Sequence, residues 1–268
     1  SDYVFILFLF VGVFLFTLFL IPRVRENSLK LGFYDKPEER SSHKVIVPTF
    51  GGVAFFISLF LALFFIKKWD VLDNTISLMV SLTIMFFVGV KDDLQNLSAR
   101  KKFVGQIIAV VILVLEPEFR INSLHGLMGV QELHPAFSMV FSLFIVLGLI
   151  NAYNLIDGID GLASIVGIII LSFFGFLFLK LNLIYYFSIC VAAVSTLLAF
   201  LRYNLSTRKK IFMGDTGSLV IGLIIGLLML KLFSLGSNSF NVLAIERKHL
   251  PLLIASVLII PIFDFHRV

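Results

Sequence analysis

The sequence predicts an all-α polytopic membrane protein with about nine transmembrane helices, its N-terminus outside and its C-terminus inside. Three observations carry that expectation. The 268 residues are 59% hydrophobic, with a mean hydropathy of +1.03, which is more apolar than a soluble domain of this length. The apolar residues form unbroken runs, and a helix needs about 20 of them to cross a bilayer; the alternating ten-residue strands of a membrane barrel are absent. The charged residues, 15% of the chain, sit in clusters between the runs.

The first run, 3–22, has no basic residue ahead of it and no small-residue cleavage site, so it reads as a retained helix and not as a signal peptide. The others are 50–66, 74–90, 103–115, 136–153, 161–179, 183–201, 217–233 and 250–265. The fourth is short and begins inside a basic cluster. After it, Phe119-Arg120-Ile121 and Gly129-Val130-Gln131 flank Gly126, which predicts a small β-hairpin outside the membrane near 117–134. Gly222 and Gly226 have the spacing of a close helix contact, read as packing within the chain. The single cysteine, Cys190, lies in an apolar run and excludes both an intrachain disulfide and a cysteine metal site.

Orientation follows from the basic residues. Loops 23–49, 91–102 and 202–210, with the tail, hold fifteen of the 22 Lys and Arg; the opposite side holds seven. The richer side is cytoplasmic. The net charge of +5 then belongs to loops facing anionic lipid, not to a nucleic-acid surface. The same sorting puts Asp92, Asp93, Asp157, Asp160, Asp215 and Asp264 on the cytoplasmic side, each at or near a helix end. Acids at the ends of membrane segments are costly unless they act, and six gathered from several separate connections predict one site.

The connections differ in chemistry. Arg40, His43 and Lys44 precede Pro48-Thr49-Phe50-Gly51-Gly52, offering either phosphate contacts or an anchor before a helix start. The adjacent Asp92 and Asp93 repel one another, and a shared cation would resolve that; oxygen-only ligands favour Mg2+ or Mn2+. Arg100, Lys101 and Lys102 follow, read as lipid-surface anchors in preference to phosphate contacts. Asn154, Asp157 and Asp160 recur every three residues, on neighbouring helix faces unless Gly158 and Gly161 break the helix. Asn204 precedes Phe212-Met213-Gly214-Asp215-Thr216-Gly217-Ser218, whose glycines and hydroxyls at a helix N-terminus make an anion site. An Asp there implies a bridging metal. Phe212 offers a ring to a base or packs as other phenylalanines do.

At these residues the chain resembles the polyprenyl-phosphate N-acetylhexosamine-1-phosphate transferases, of glycosyltransferase family 4 type. The matching pieces are His43-x4-Pro48-x2-Gly51-Gly52, Asp92-Asp93, Asn154-Leu-Ile-Asp157-Gly-Ile-Asp160-Gly161 and Phe212-Met-Gly-Asp215-Thr-Gly-Ser218. They occur in the family's order and cover nearly the whole chain. The resemblance implies a Mg2+-dependent enzyme in the bacterial inner membrane. A polyprenyl phosphate would attack the β-phosphate of a UDP-N-acetylhexosamine, giving a polyprenyl-diphosphate sugar and UMP. It implies Asp215 and Asp92 as metal ligands, and Asp92, Asp93 and Asp160 as catalytic residues. Asn154, Asp157, Asp160 and Asn204 would line the nucleotide-sugar pocket, with His43, Lys44, Phe212 and Gly214 as further substrate contacts. A homodimer is an allowed assembly.

Within the family, the Asp35-Lys36-Pro37-Glu38-Glu39-Arg40 run, Leu97-Ser98 and the loop 119–135 look more like the branch using UDP-GlcNAc for cell-envelope polysaccharides such as O-antigen than the branch using UDP-MurNAc-pentapeptide. One departure stands out. The family continues past Pro261-Ile-Phe-Asp264 into a basic segment ending in a His-x-His-His motif, which His266 does not match. Residues 1–268 are therefore expected to be a single integral-membrane transferase domain truncated at its C-terminus, which puts substrate binding in question. Two readings of other classes are an ion-coupled transporter, which would place acids near mid-membrane, and an inactive binding scaffold.

Overall fold

The computed structural model describes residues 2–35, 47–70, 74–236, 239, 242–243 and 245–265. Its helices are α1 (Asp2–Leu31), α2 (Gly51–Ile66), α3 (Asn74–Gln95), α4 (Ala99–Leu115), α5 (Pro135–Leu155), α6 (Leu162–Lys180), α7 (Ile184–Asn204), α8 (Gly214–Phe233), α9 (Leu250–Val257) and α10 (Ile259–Phe265). Among the described residues, seven helices are long and apolar enough to cross a membrane: α1, α2, α3, α5, α6, α7 and α8. α4 has 17 residues and opens on Ala-Arg-Lys-Lys, so its apolar part is short. The run 250–265, expected as one helix, is two. Pro261 cannot donate to the carbonyl of Val257 and its ring crowds that carbonyl, so the helix breaks at Leu258.

α8 is the axis of the bundle. It is apolar around its whole circumference and buried along its length, as expected of a helix without a polar face. α2, α3 and α5, and to a lesser extent α6, pack directly on it, while α7 and α1 extend the bundle outward. The predicted close contact at Gly222 and Gly226 is internal: a Cβ there would come within 3.1 Å of the Ile150 backbone and 2.9 Å of Val146, both on α5. Large apolar side chains such as Phe8, Phe64, Phe87 and Phe144 are exposed on the outer helices, where lipid would cover them.

The loop between α4 and α5 is a closed turn and not a strand-paired hairpin. A single antiparallel bridge joins Ser123 and Glu132, with flanking bonds from Leu124 N to Gln131 O and from Leu133 N to Asn122 O. The ladder stops there because His125, Gly126, Met128 and Gly129 all have positive φ, which strands do not tolerate. Among the described residues the one strand pair lies elsewhere: β1 (Tyr34–Asp35) runs antiparallel to β2 (Val47–Pro48).

The 116–134 loop is tied to the C-terminal end of α8. Lys231 forms an ion pair with Glu118, and Glu118 also accepts from Asn74 Nδ2 at 2.7 Å and Tyr186 Oη at 3.0 Å. The His125 ring contacts the Phe233 carbonyl at 3.0 Å; burial pushes its pKa below the usual histidine value. Lys231→Met leaves Glu118 without its cation, at a cost of about 1.5–3 kcal/mol for a charged hydrogen bond. Thermal unfolding in detergent should show a lowered midpoint; an unchanged midpoint would contradict a bracing role.

Candidate active site

The site is built on the N-terminus of α8. Gly214 sits at φ +71°, and a Cβ there would fall 2.1 Å from the Thr49 carbonyl and 2.8 Å from Asp93 Oδ2, so no other residue fits. Backbone bonds hold the preceding segment against the start of α2: Phe212 N to Pro48 O at 2.8 Å, Gly51 N to Phe212 O at 3.0 Å and Gly52 N to Met213 O at 2.9 Å. Gly89 lets α3 approach so closely that a Cβ would lie 2.4 Å from Thr216 Cα. One turn further on the same face, Asp93 reaches the first amides of α8. It accepts from Asp215 N at 2.8 Å, Thr216 N at 3.0 Å and Thr216 Oγ1 at 2.5 Å. Asp157 lies against the Gly214 amide.

This corrects the expectation of an open anion site at these amides. A carboxylate is the favoured partner of a helix N-terminus, and Asp93 fills that place from a neighbouring helix. Neighbouring residues on a helix point about 100° apart, so Asp92 and Asp93 face different partners. Asp92 turns the other way. Its Oδ1 accepts from Leu97 N at 2.7 Å, closing the turn after α3, and its Oδ2 meets Lys102 Nζ at 2.8 Å.

Lys102, read from the sequence as a surface anchor, is the hub of the cluster. Its ammonium also lies 2.7 Å from Asp215 Oδ1 and 3.3 Å from Asn154 Oδ1. Asn154 Nδ2 donates to Asp215 Oδ1 at 2.5 Å and to Ser218 Oγ at 2.7 Å. One turn deeper, Gln106 and Asn151 exchange amide bonds at 2.8 and 3.3 Å, fixing α4 against α5 so that Lys102 and Asn154 meet. The sequence signal for Lys102 was its helical phase, which points it away from the exposed Arg100 and Lys101.

A cavity of about 730 Å3 opens beside this cluster, lined by Asp93, Asn154, Asp157, Asp160, Asn204, Phe212, Gly214 and Asp215, together with Phe33, Tyr34 and Thr49. The expected helical presentation of Asn154, Asp157 and Asp160 is broken. α5 ends at Leu155, a 3-10 turn carries Asp157, and Gly161 has φ +76°. Asp160 pairs with Lys210, whose ammonium is 5.2 Å from the Phe212 ring centre. Asn204 braces the walls: it accepts from Gly161 N at 2.6 Å and donates to Ile211 O at 3.0 Å. Asp92 is not among the lining residues and joins the site through Lys102. His43, Lys44 and the Asp264 side chain lie outside the described residues. Among the described residues, no three His, Cys, Asp or Glu side chains group closely enough to cage a metal.

Residues 75–233, which supply α3 to α8 and most of this cavity, match the family model described as glycosyl transferase family 4. The chain belongs to glycosyl transferase family 4. Known members of similar sequence carry two kinds of description. A probable undecaprenyl-phosphate N-acetylglucosaminyl 1-phosphate transferase of Bacillus subtilis is 31% identical over 95% of this chain and 68% of its own length. An undecaprenyl-phosphate alpha-N-acetylglucosaminyl 1-phosphate transferase of Salmonella typhi is 30% identical over 82% of this chain and 61% of its own. A phospho-N-acetylmuramoyl-pentapeptide-transferase of Staphylococcus carnosus is 33% identical over 82% and 74%. The chain thus spans 61–74% of the length of these glycosyl transferase family 4 relatives.

Proposed function

We propose that this family 4 protein transfers N-acetylhexosamine 1-phosphate, most suitably GlcNAc 1-phosphate, from a UDP-sugar to undecaprenyl phosphate, releasing UMP. The observation that carries the reading is the Lys102–Asp215–Asn154 cluster at the wall of an acid-lined cavity, in a chain whose relatives are named for this transfer. An oxygen of the lipid phosphate bonds to the β-phosphorus, and the bond from that phosphorus to the oxygen bridging the α-phosphate breaks, so UMP leaves with that oxygen. The second pKa of a phosphate monoester is about 6, so the lipid phosphate is nucleophilic near neutral pH without a protein base. That agrees with Asp93 being committed to three hydrogen bonds of α8.

Phosphoryl transfer needs positioning and charge neutralisation above all. Lys102 and Lys210 supply positive charge, Asn154 orients Asp215, Phe212 offers its ring to the uracil, and Asp157 and Asp160 shape the sugar-nucleotide side. Asp92 and Asp215 already share one cation, the Lys102 ammonium. Mg2+ is commonly held by one or two carboxylates together with substrate phosphates, so this donor set suits Mg2+, or Mn2+, bound with the diphosphate. The ion would neutralise developing charge there.

The same reading places nine spans in a bacterial inner membrane, with α4 and the α9–α10 pair completing the seven long helices, the N-terminus outside and the cavity at the cytoplasmic face. The acids gather at one end of the bundle, where a transporter's cation path through mid-membrane would not need them. UMP release by the purified full-length protein, given undecaprenyl phosphate, Mg2+ and either UDP-GlcNAc or UDP-MurNAc-pentapeptide, tests it. UMP from UDP-GlcNAc is expected. UMP from the pentapeptide substrate alone would move the protein to the second branch named among its relatives, and none from any UDP-sugar would end the transferase reading.

A further inference from the structure

The start of α4 faces two ways. Lys102 turns into the carboxylate cluster, while Arg100 and Lys101 turn outward with Lys91 of α3 onto a groove of about 620 Å3 between the two helices. Its apolar wall is Ile84, Phe87 and Val88 from α3, and Val104, Gly105 and Ile108 from α4. These positions repeat at helical spacing on both helices, so one continuous furrow runs along the membrane-facing surface. Gly105 forms part of its floor; a Cβ there would meet Val88 Cγ2 at 2.3 Å. Phe87, Val104 and Ile108 are 63%, 56% and 50% exposed, so none of the described residues covers the furrow.

The three cations sit together at one end of the furrow, around the turn joining α3 to α4, and are exposed. Among the described residues none of the three has an acidic partner, whereas Arg25 donates to the Lys210 carbonyl, Lys210 pairs with Asp160 and Lys102 is held between two carboxylates. An apolar furrow of ligand-pocket size, closed at one end by three uncompensated cations, has the polarity of a lipid with an acidic head. Basic pockets between membrane helices select such heads, and Arg adds a planar fork suited to phosphate oxygens.

We propose that the α3–α4 furrow is a binding site for an anionic membrane phospholipid, an acyl chain lying along Phe87, Val104 and Ile108 and the phosphate resting on Lys91, Arg100 and Lys101. The site is separate from the cavity beside Asp215 and independent of the reaction assigned there. By bridging the two helices that carry Asp92 and Lys102, the bound lipid fixes their mutual position.

The test is lipid retention by native mass spectrometry of the full-length protein, released from nanodiscs of phosphatidylcholine containing phosphatidylglycerol and undecaprenyl phosphate. The protein should retain phosphatidylglycerol over phosphatidylcholine. The triple variant Lys91→Gln, Arg100→Gln, Lys101→Gln should weaken that binding on the order of 10^2-fold at low salt, given the usual contribution of each cation at a membrane surface. The charge-conserving triple Lys91→Arg, Arg100→Lys, Lys101→Arg should restore it, which separates loss of the site from loss of the fold. Equal phosphatidylglycerol retention by the Gln variant overturns the proposal. So does loss of retained undecaprenyl phosphate instead of phosphatidylglycerol, which would make the furrow a route for the lipid substrate.

Discussion

Asp215→Asn is expected to reduce UMP release by at least about 10^2-fold, the scale seen when one electrostatic element of a preorganised site is removed, while leaving the unfolding midpoint close to that of the parent. The two halves of the expectation have one cause. Asn is nearly the same shape as Asp, and its carbonyl oxygen can still accept from Asn154 Nδ2 and Lys102 Nζ, the two partners of Asp215 Oδ1. The geometry survives and the charge does not. Lys102 then keeps only Asp92 as a carboxylate partner. The loss should appear in kcat more than in the KM for the UDP-sugar, since the charge matters most when negative charge builds on the transferred phosphoryl group. Near-parental turnover in Asp215→Asn, measured with saturating substrates, would remove Asp215 from the reaction.

Asp93→Ala is expected to fail in a different way. It strips the acceptor from two α8 amides and the Thr216 hydroxyl at once, and Thr216 is fully buried. Buried donors without partners cost about 1–3 kcal/mol each, so the unfolding midpoint should fall clearly, together with turnover. The comparison with Asp215→Asn separates positioning from chemistry. A general base removed from an otherwise intact site would lose activity at unchanged stability. If Asp93→Ala keeps its midpoint and its protease resistance while losing turnover, the helix-capping role given to Asp93 is wrong and a direct catalytic role takes its place.

Much of this protein was legible before folding. The apolar runs and the loop charges sufficed for an all-α membrane bundle, because bilayer thickness and backbone hydrogen bonding leave a helix few alternatives. The glycine-bounded acids pointed to a site on the connections, and Asp93, Asp157, Asp160 and Asp215 do line one cavity. The reach of each run was less legible. Pro261 splits the last run in two, and four positive-φ residues end the expected hairpin after one bridge.

Which acid does what was settled only in three dimensions. Asp92 and Asp93 are chemically identical neighbours, and nothing in their order says that one binds a lysine and the other caps a helix 122 residues away. That division depends on where α8 begins relative to α3, which Gly89 and Gly214 set through contacts of backbone on backbone. Lys102 could not be told from Arg100 and Lys101 by composition, only by the phase of α4 and its contact with α5 through Gln106 and Asn151. The sequence determined the chemical groups and the end of the bundle at which they gather, because hydropathy and loop charge are local properties. The tertiary structure decided their partners, because a carboxylate's role depends on which positive group the packing brings within about 3 Å of it.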